Sequence, residues 1–165
     1  TVATSYVPTY AATATRATDN IGATSGFPAN DGPMTLFVDM RYVSTAVVES
    51  ISLYGDAAND LRITASGGNT LLRDRMASAN NDLTLEATST NRNKIASTFA
   101  ENDVAVSLNG GAVSTDTSTS TPSAAIDELW LTGRATPSIA APIYYYKIKA
   151  VPRRMTNAEL IAETS

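Results

Sequence analysis

Ile143-Tyr-Tyr-Tyr-Lys-Ile-Lys-Ala-Val-Pro-Arg-Arg-Met-Thr-Asn-Ala-Glu-Leu160 holds an aromatic β-strand, a Pro-Arg-Arg turn and a complete helix start. Counted at the period of two that a strand imposes, Tyr144, Tyr146 and Ile148 share one face and Tyr145, Lys147 and Lys149 the other. One face is therefore built to pack and the other to meet water. After the turn, Thr156-Asn157-Ala158-Glu159 has the form of a capping box, and Met155 and Leu160 stand where a hydrophobic staple belongs. A short helix over about 156–162 is expected to follow the strand.

Working back along the chain, the period of two recurs. Leu36, Val38, Met40 and Tyr42 alternate with Phe37, Asp39 and Arg41, which predicts a strand with one buried face. Ile51 and Leu53, then Leu61, Ile63 and Ala65, mark two more strands, ending at Gly55-Asp56 and Gly67-Gly68. Leu71 and Arg73 begin another; Leu83, Leu85 and Ala87 are expected to face inward with Thr84 and Glu86 outward. Ile95, Ser97 and Phe99 follow a polar turn, and Val104, Val106 and Leu108 come next. Asn109-Gly110 predicts a type I′ hairpin turn between Val106-Ser107-Leu108 and Gly111-Ala112-Val113, because both central positions need positive φ. Ser114 to Ser123 reads as an exposed Ser/Thr-rich loop, and Leu129 and Leu131 mark the penultimate strand. Strands about every ten residues, with no helical stretch before Thr156, imply an antiparallel β-sandwich. Residues 1–33, rich in Thr, Ala, Gly and Pro, read as an extended arm or linker, and 34–165 as the sandwich domain with its terminal helix.

A final strand running into Pro152-Arg153-Arg154-Met155-Thr156-Asn157-Ala158-Glu159-Leu160 resembles the close of the concanavalin A-like, laminin-G-like jelly-roll domains of tailed-bacteriophage tail and appendage proteins. Val151 stands before Pro152 here, and the tyrosines lie earlier than in the family pattern. Thr4-Ser5-Tyr6-Val7-Pro8-Thr9 with Ala14-Thr15-Arg16-Ala17-Thr18-Asp19, and Glu101-Asn102-Asp103-Val104-Ala105-Val106-Ser107-Leu108-Asn109-Gly110-Gly111, are similar to the same group. The resemblance implies a jelly roll and a virion origin. In that family the opening segment follows another domain, and this chain starts at Thr1 rather than Met, so it is expected to be an ordered part of something longer.

Composition narrows the chemistry. The 165 residues suffice for one domain with a two-layer core. Cys and His are both absent, which removes disulfides, thiolate metal sites and the commonest general base. With 43% hydrophobic and 17% charged residues, polarity is carried by Thr, Ser and Asn, as suits strand faces. A net charge of −4 gives no long-range attraction to nucleic acid, and the cluster Lys147, Lys149, Arg153 and Arg154 reads as a solvated edge. No apolar run reaches the roughly 20 residues that span a bilayer, so no membrane insertion is expected.

Glycosidases on related sandwiches need two carboxylates about 5 to 10 Å apart across a cleft. Asp127 and Glu128 are adjacent and would face opposite ways on a strand, so no enzyme is expected. Calcium is the one cofactor worth weighing: Asp56, Asp60 and Asp82, with Asn59, Asn80 and Asn81, could supply oxygen ligands, or they could form turns through local side-chain bonds. For sugar binding, Trp130 and Tyr145 are the aromatic candidates, with packing or a subunit interface as the other use of each, and Lys147 and Lys149 flank the latter. The leading expectation is a non-enzymatic structural protein of a tailed-phage virion, in a tail fibre, neck, capsid or other appendage, serving assembly and host-surface attachment. Its expected partners are further copies of itself as a homo-oligomer and other virion proteins. The competing expectation is a carbohydrate-binding module that recognises host surface glycans.

Overall fold

A computed structural model describes residues 22–23, 32–43, 48–66, 68–76, 79–87, 89–118, 125–131 and 143–165. Most of the expected arm, with the Thr4 to Asp19 motifs, lies outside the described residues. The described residues form two antiparallel sheets and one helix. One sheet has the order β1 (Gly22–Ala23), β10 (Glu128–Trp130), β3 (Val48–Asp56), β4 (Asn59–Ser66), β5 (Asn69–Met76), β6 (Ala79–Ala87). The other runs β11 (Ile143–Val151), β2 (Met34–Tyr42), β7 (Arg92–Phe99), β8 (Val104–Leu108), β9 (Ser114–Asp116). The meander β3 to β6 builds most of one layer, while β2, β7 and β11 come together from distant parts of the chain. Gly22 and Ala23, inside the stretch read as an arm, pair with Trp130 and Leu129.

The alternation fills the space between the sheets. Leu36, Val38, Met40 and Tyr42 from β2 meet Ile51, Leu53, Leu61, Ile63 and Leu72 from the facing sheet, with Ile95, Phe99, Val104 and Val106 beside them, all buried. Each such side chain contributes about 1.5–3 kcal/mol by leaving water. Tyr42 brings a hydroxyl into this core, where it shares a 2.7 Å hydrogen bond with Ser50 Oγ; burial pushes its pKa up to about 12. In β5 Leu72 is a core residue, and Arg73 lies on the opposite face against Asp82. Leu83 and Leu85 pack against the core as expected; Ala87, expected inward, is exposed at the strand end.

Two expectations change because helix α1 (Asn157–Thr164) lies on the outer face of the five-stranded sheet. First, β2 does not have a single buried face: Phe37 is buried from behind by Met155 and Leu160, together with Ala96 and Ala105. Thr35 Oγ1 fixes the approach, lying 2.8 Å from Arg153 O and accepting the Met155 N–H at 3.0 Å. The helix start is the expected one: Thr156 Oγ1 accepts the Glu159 N–H at 3.3 Å, and Glu159 Oε2 accepts the Thr156 N–H at 2.7 Å. Second, Asn109-Gly110 makes the turn, with φ of 50° and 73° and the Gly111 N–H on Leu108 O, but the next three residues are not a strand. The helix end meets the chain at this turn: Thr164 Oγ1 accepts the Gly110 N–H and meets Ser107 Oγ. Pairing resumes only at Val106 with Ser114, so the first residues of the expected Ser/Thr-rich loop are an edge strand.

Candidate functional site

Beyond the reach of the helix, the outer face of the five-stranded sheet is open. The registers Tyr144 to Arg41 and Arg41 to Arg92 put these three in one row across β11, β2 and β7. The next row holds Lys147, Asp39 and Lys94. Between Tyr145 and Lys147 the register shifts, so Tyr146 is the extra residue of a β-bulge. A bulge re-aims side chains. Here it carries Tyr146 to the outer side with Tyr144 and returns Ile148 to the inner side with Ile143 and Tyr145.

This corrects the reading of the aromatic strand. Tyr145, expected to face water, packs against the main core, its hydroxyl directed at the Ser50 and Leu131 carbonyls and its pKa raised by burial. Tyr144 and Tyr146, expected to pack, are 53% and 52% exposed. Among the described residues the only other exposed large apolar side chain is Val43, at 45%, two positions beyond Arg41. Single exposed apolar residues are ordinary, but a group of them gathered at one place marks a contact surface.

The two rings are held by arginines. The Arg41 guanidinium lies 5.1 Å from the Tyr144 ring centre, and that of Arg92 4.4 Å from the centre of Tyr146. Arg92 is itself fixed by a two-pronged ion pair with Asp39, Nε to Oδ1 at 2.7 Å and Nη2 to Oδ2 at 2.5 Å. Asp39 is only 4% exposed. The bond from Arg92 holds its carboxyl below the usual range despite burial, and the fields of Lys94 and Lys147 add to this. At the border with the helix, Lys147 and Lys149 both reach Glu163, at 3.1 and 3.0 Å, and lower its pKa, Lys149 more strongly. The surface thus combines two rigid aromatic rings, forked donors and a buried acid that orients one of them. It can stack against an apolar ring face while hydrogen bonding to polar substituents.

The other candidates lie elsewhere. Trp130, half-buried on β10 in the opposite sheet, donates Nε1–H to Glu128 Oε2 at 2.8 Å. Asp127 gives its backbone N–H to Tyr54 O, so the two adjacent acids serve strand β10 separately. Asp56 Oδ1 accepts from Ala58 N–H and Asn59 Nδ2 in the turn between β3 and β4. Asp60 receives two prongs from Arg62, and Asp82 two from Arg73. The side chain of Asn80 lies outside the described residues, and among the described residues no three acidic side chains converge as a metal site would require.

Sequence reasoning missed Tyr144, Tyr146, Arg41 and Arg92 as a group. A signal for the bulge was present: the apolar inward positions 143, 145 and 148 step by two and then by three. No comparable signal joins Arg41 to Arg92, which meet through pairing of strands distant in sequence.

No family model matches the chain, and no curated protein does. Solved structures do. A structure of botulinum neurotoxin type C, whose cell entry is dependent upon interaction with two ganglioside molecules, matches with a TM-score of 0.67 at 5% identity, over 81% of this chain and 35% of that one. The fold is a concanavalin A-like, laminin-G-like jelly roll. A native heptameric SAP-like pentraxin from Limulus polyphemus matches with a TM-score of 0.60 at 10% identity, over 84% of this chain and 74% of that one. Domains LG4-5 of mouse laminin alpha1 match at 0.56 and 8% identity, over 76% and 37%. The chain spans 35% and 42% of two botulinum neurotoxin chains it matches.

Proposed function

We propose that this jelly roll is a non-enzymatic carbohydrate-binding module that recognises surface glycans through the outer face of its five-stranded sheet. One observation carries the reading: Tyr144 and Tyr146, both about half exposed, stand on the same strand face with an arginine against each ring. A pyranose has one face of C–H bonds and a rim of hydroxyls, so it needs a flat ring beside hydrogen-bonding groups, and this surface offers both. Tyrosine on a strand also loses little conformational freedom when bound. The neurotoxin likeness adds support, since cell entry of that protein is dependent upon interaction with two ganglioside molecules, although this chain covers 35% of it.

A glycan array is the direct experiment. The wild-type protein is expected to bind a defined set of glycans, and Tyr144→Ala or Tyr146→Ala to weaken binding about tenfold or more each, with circular dichroism unchanged. Binding unaffected by both variants, or lost with Trp130→Ala alone, would move the site away from this face.

The setting we propose is the virion of a tailed phage, where the module would sit in a tail fibre or other appendage as a homo-oligomer. The likeness of the closing segment Pro152 to Leu160 to phage appendage domains supports this, and so do exposed tyrosines, which suit a contact between copies as well as a glycan. A structural role in assembly, as a homo-oligomer, is the second reading. Light scattering that finds a monodisperse monomer counts against it.

A further inference from the structure

Resting on the glycan reading above, we infer that the ligand is acidic: a saccharide bearing a carboxylate, of the uronic or sialic acid class, with Arg41 as the residue that receives the carboxylate. The charges on this face decide the point. Asp39 and Arg92 close on each other with two bonds and cancel. Glu163 is shared by Lys147 and Lys149, which leaves one positive charge over, and Lys94 in the same row donates to the Ser165 backbone oxygen. Arg41 is exposed, lies against the Tyr144 ring and meets no carboxylate among the described residues. The face therefore carries a local positive surplus on a chain whose net charge is −4.

The kind of cation matters as much as its sign. A guanidinium is weakly hydrated and presents parallel N–H donors that match both oxygens of a carboxylate. Stacked on Tyr144, Arg41 is already partly ordered, so less freedom is lost when it closes on an anion. A ligand whose carboxylate meets Arg41 would place its sugar ring within the row that Tyr144 and Arg92 share, beside Tyr146. Arg92 plays a different part: with both prongs on Asp39, it holds the Tyr146 ring in place.

Isothermal titration calorimetry on the whole chain tests this with an oligogalacturonate, its carboxyl-reduced form, sialyllactose and lactose, at low and at high salt. At least one acidic ligand is expected to bind about tenfold or more tighter than its neutral counterpart, with an advantage that shrinks as salt rises. Arg41→Gln should bring the acidic and neutral affinities together, and Arg41→Lys, which keeps the charge but not the fork, should restore only part of the difference. Equal affinities in both wild-type pairs, or an acidic preference that survives Arg41→Gln, would overturn the inference. Neutral sugars bound in a Tyr144- and Tyr146-dependent way would overturn it while leaving the glycan reading standing; a panel and an array both without binding would overturn the two together.

Discussion

Tyr145 shows how one residue of strand β11 sorts its neighbours. With its ring in the core and its hydroxyl at the Ser50 and Leu131 carbonyls, it ties the edge strand of one sheet to the backbone of the facing layer. Burial raises its pKa, so the hydroxyl stays a proton donor across the physiological range. Tyr145→Phe keeps the ring but removes the hydroxyl that lies against those carbonyls, and should cost about 1–3 kcal/mol. Urea unfolding would register this as a lower midpoint at unchanged slope; an unaltered midpoint would mean that water replaces the hydroxyl. The same residue marks where alternation fails as a guide. Three tyrosines in a row guarantee an outward ring, but the side each takes depends on a bulge that inserts one residue against β2. Only the step from 145 to 148 between apolar positions hints at it.

At the scale of elements, the helix start was readable to the residue because every part of it is local. Thr156, Glu159, Met155 and Leu160 lie within six positions, and all four take the places their spacing assigns. What the spacing does not contain is the surface the helix covers, and that surface explains why Phe37 is buried and why the residues after Gly110 are not a strand. Glu159 also gives the element a pH dependence. Its pKa falls from 4.5 to about 2, chiefly through Arg153 and then the Thr156 N–H. Because the folded value is depressed, its stabilisation is complete above pH 4.5 and is lost as pH falls from 4.5 towards 2. Stability measured across that window should decline in the wild type and decline less in Glu159→Gln. At neutral pH, Thr156→Ala should cost about 1 kcal/mol through loss of the cap. Equal acid limbs in wild type and Glu159→Gln would place the acid sensitivity elsewhere, with Asp39 and its Arg92 partner the next pair to test.

The whole molecule divides the outer face of one sheet between two uses. Helix α1 closes the part over Phe37, Ala96 and Ala105, and the part around Tyr144, Arg41, Arg92 and Tyr146 is left to solvent. Both sheets could be anticipated from alternation and turn signals, since a period of two with one apolar side has few solutions other than a sandwich. The order of strands within a sheet could not, and the candidate site depends on that order: Arg41 and Arg92 become neighbours only once β2 pairs with β7. This open face is the one proposed to bind a glycan. Amide shift mapping by NMR, with the wild-type protein titrated by the strongest glycan from the array, tests it most directly. Saturable shifts gathered at Arg41, Arg92 and Tyr144 to Lys147 are expected; shifts gathered at Trp130 and the far sheet, or no saturable shifts with any glycan, would rule this face out as the glycan site.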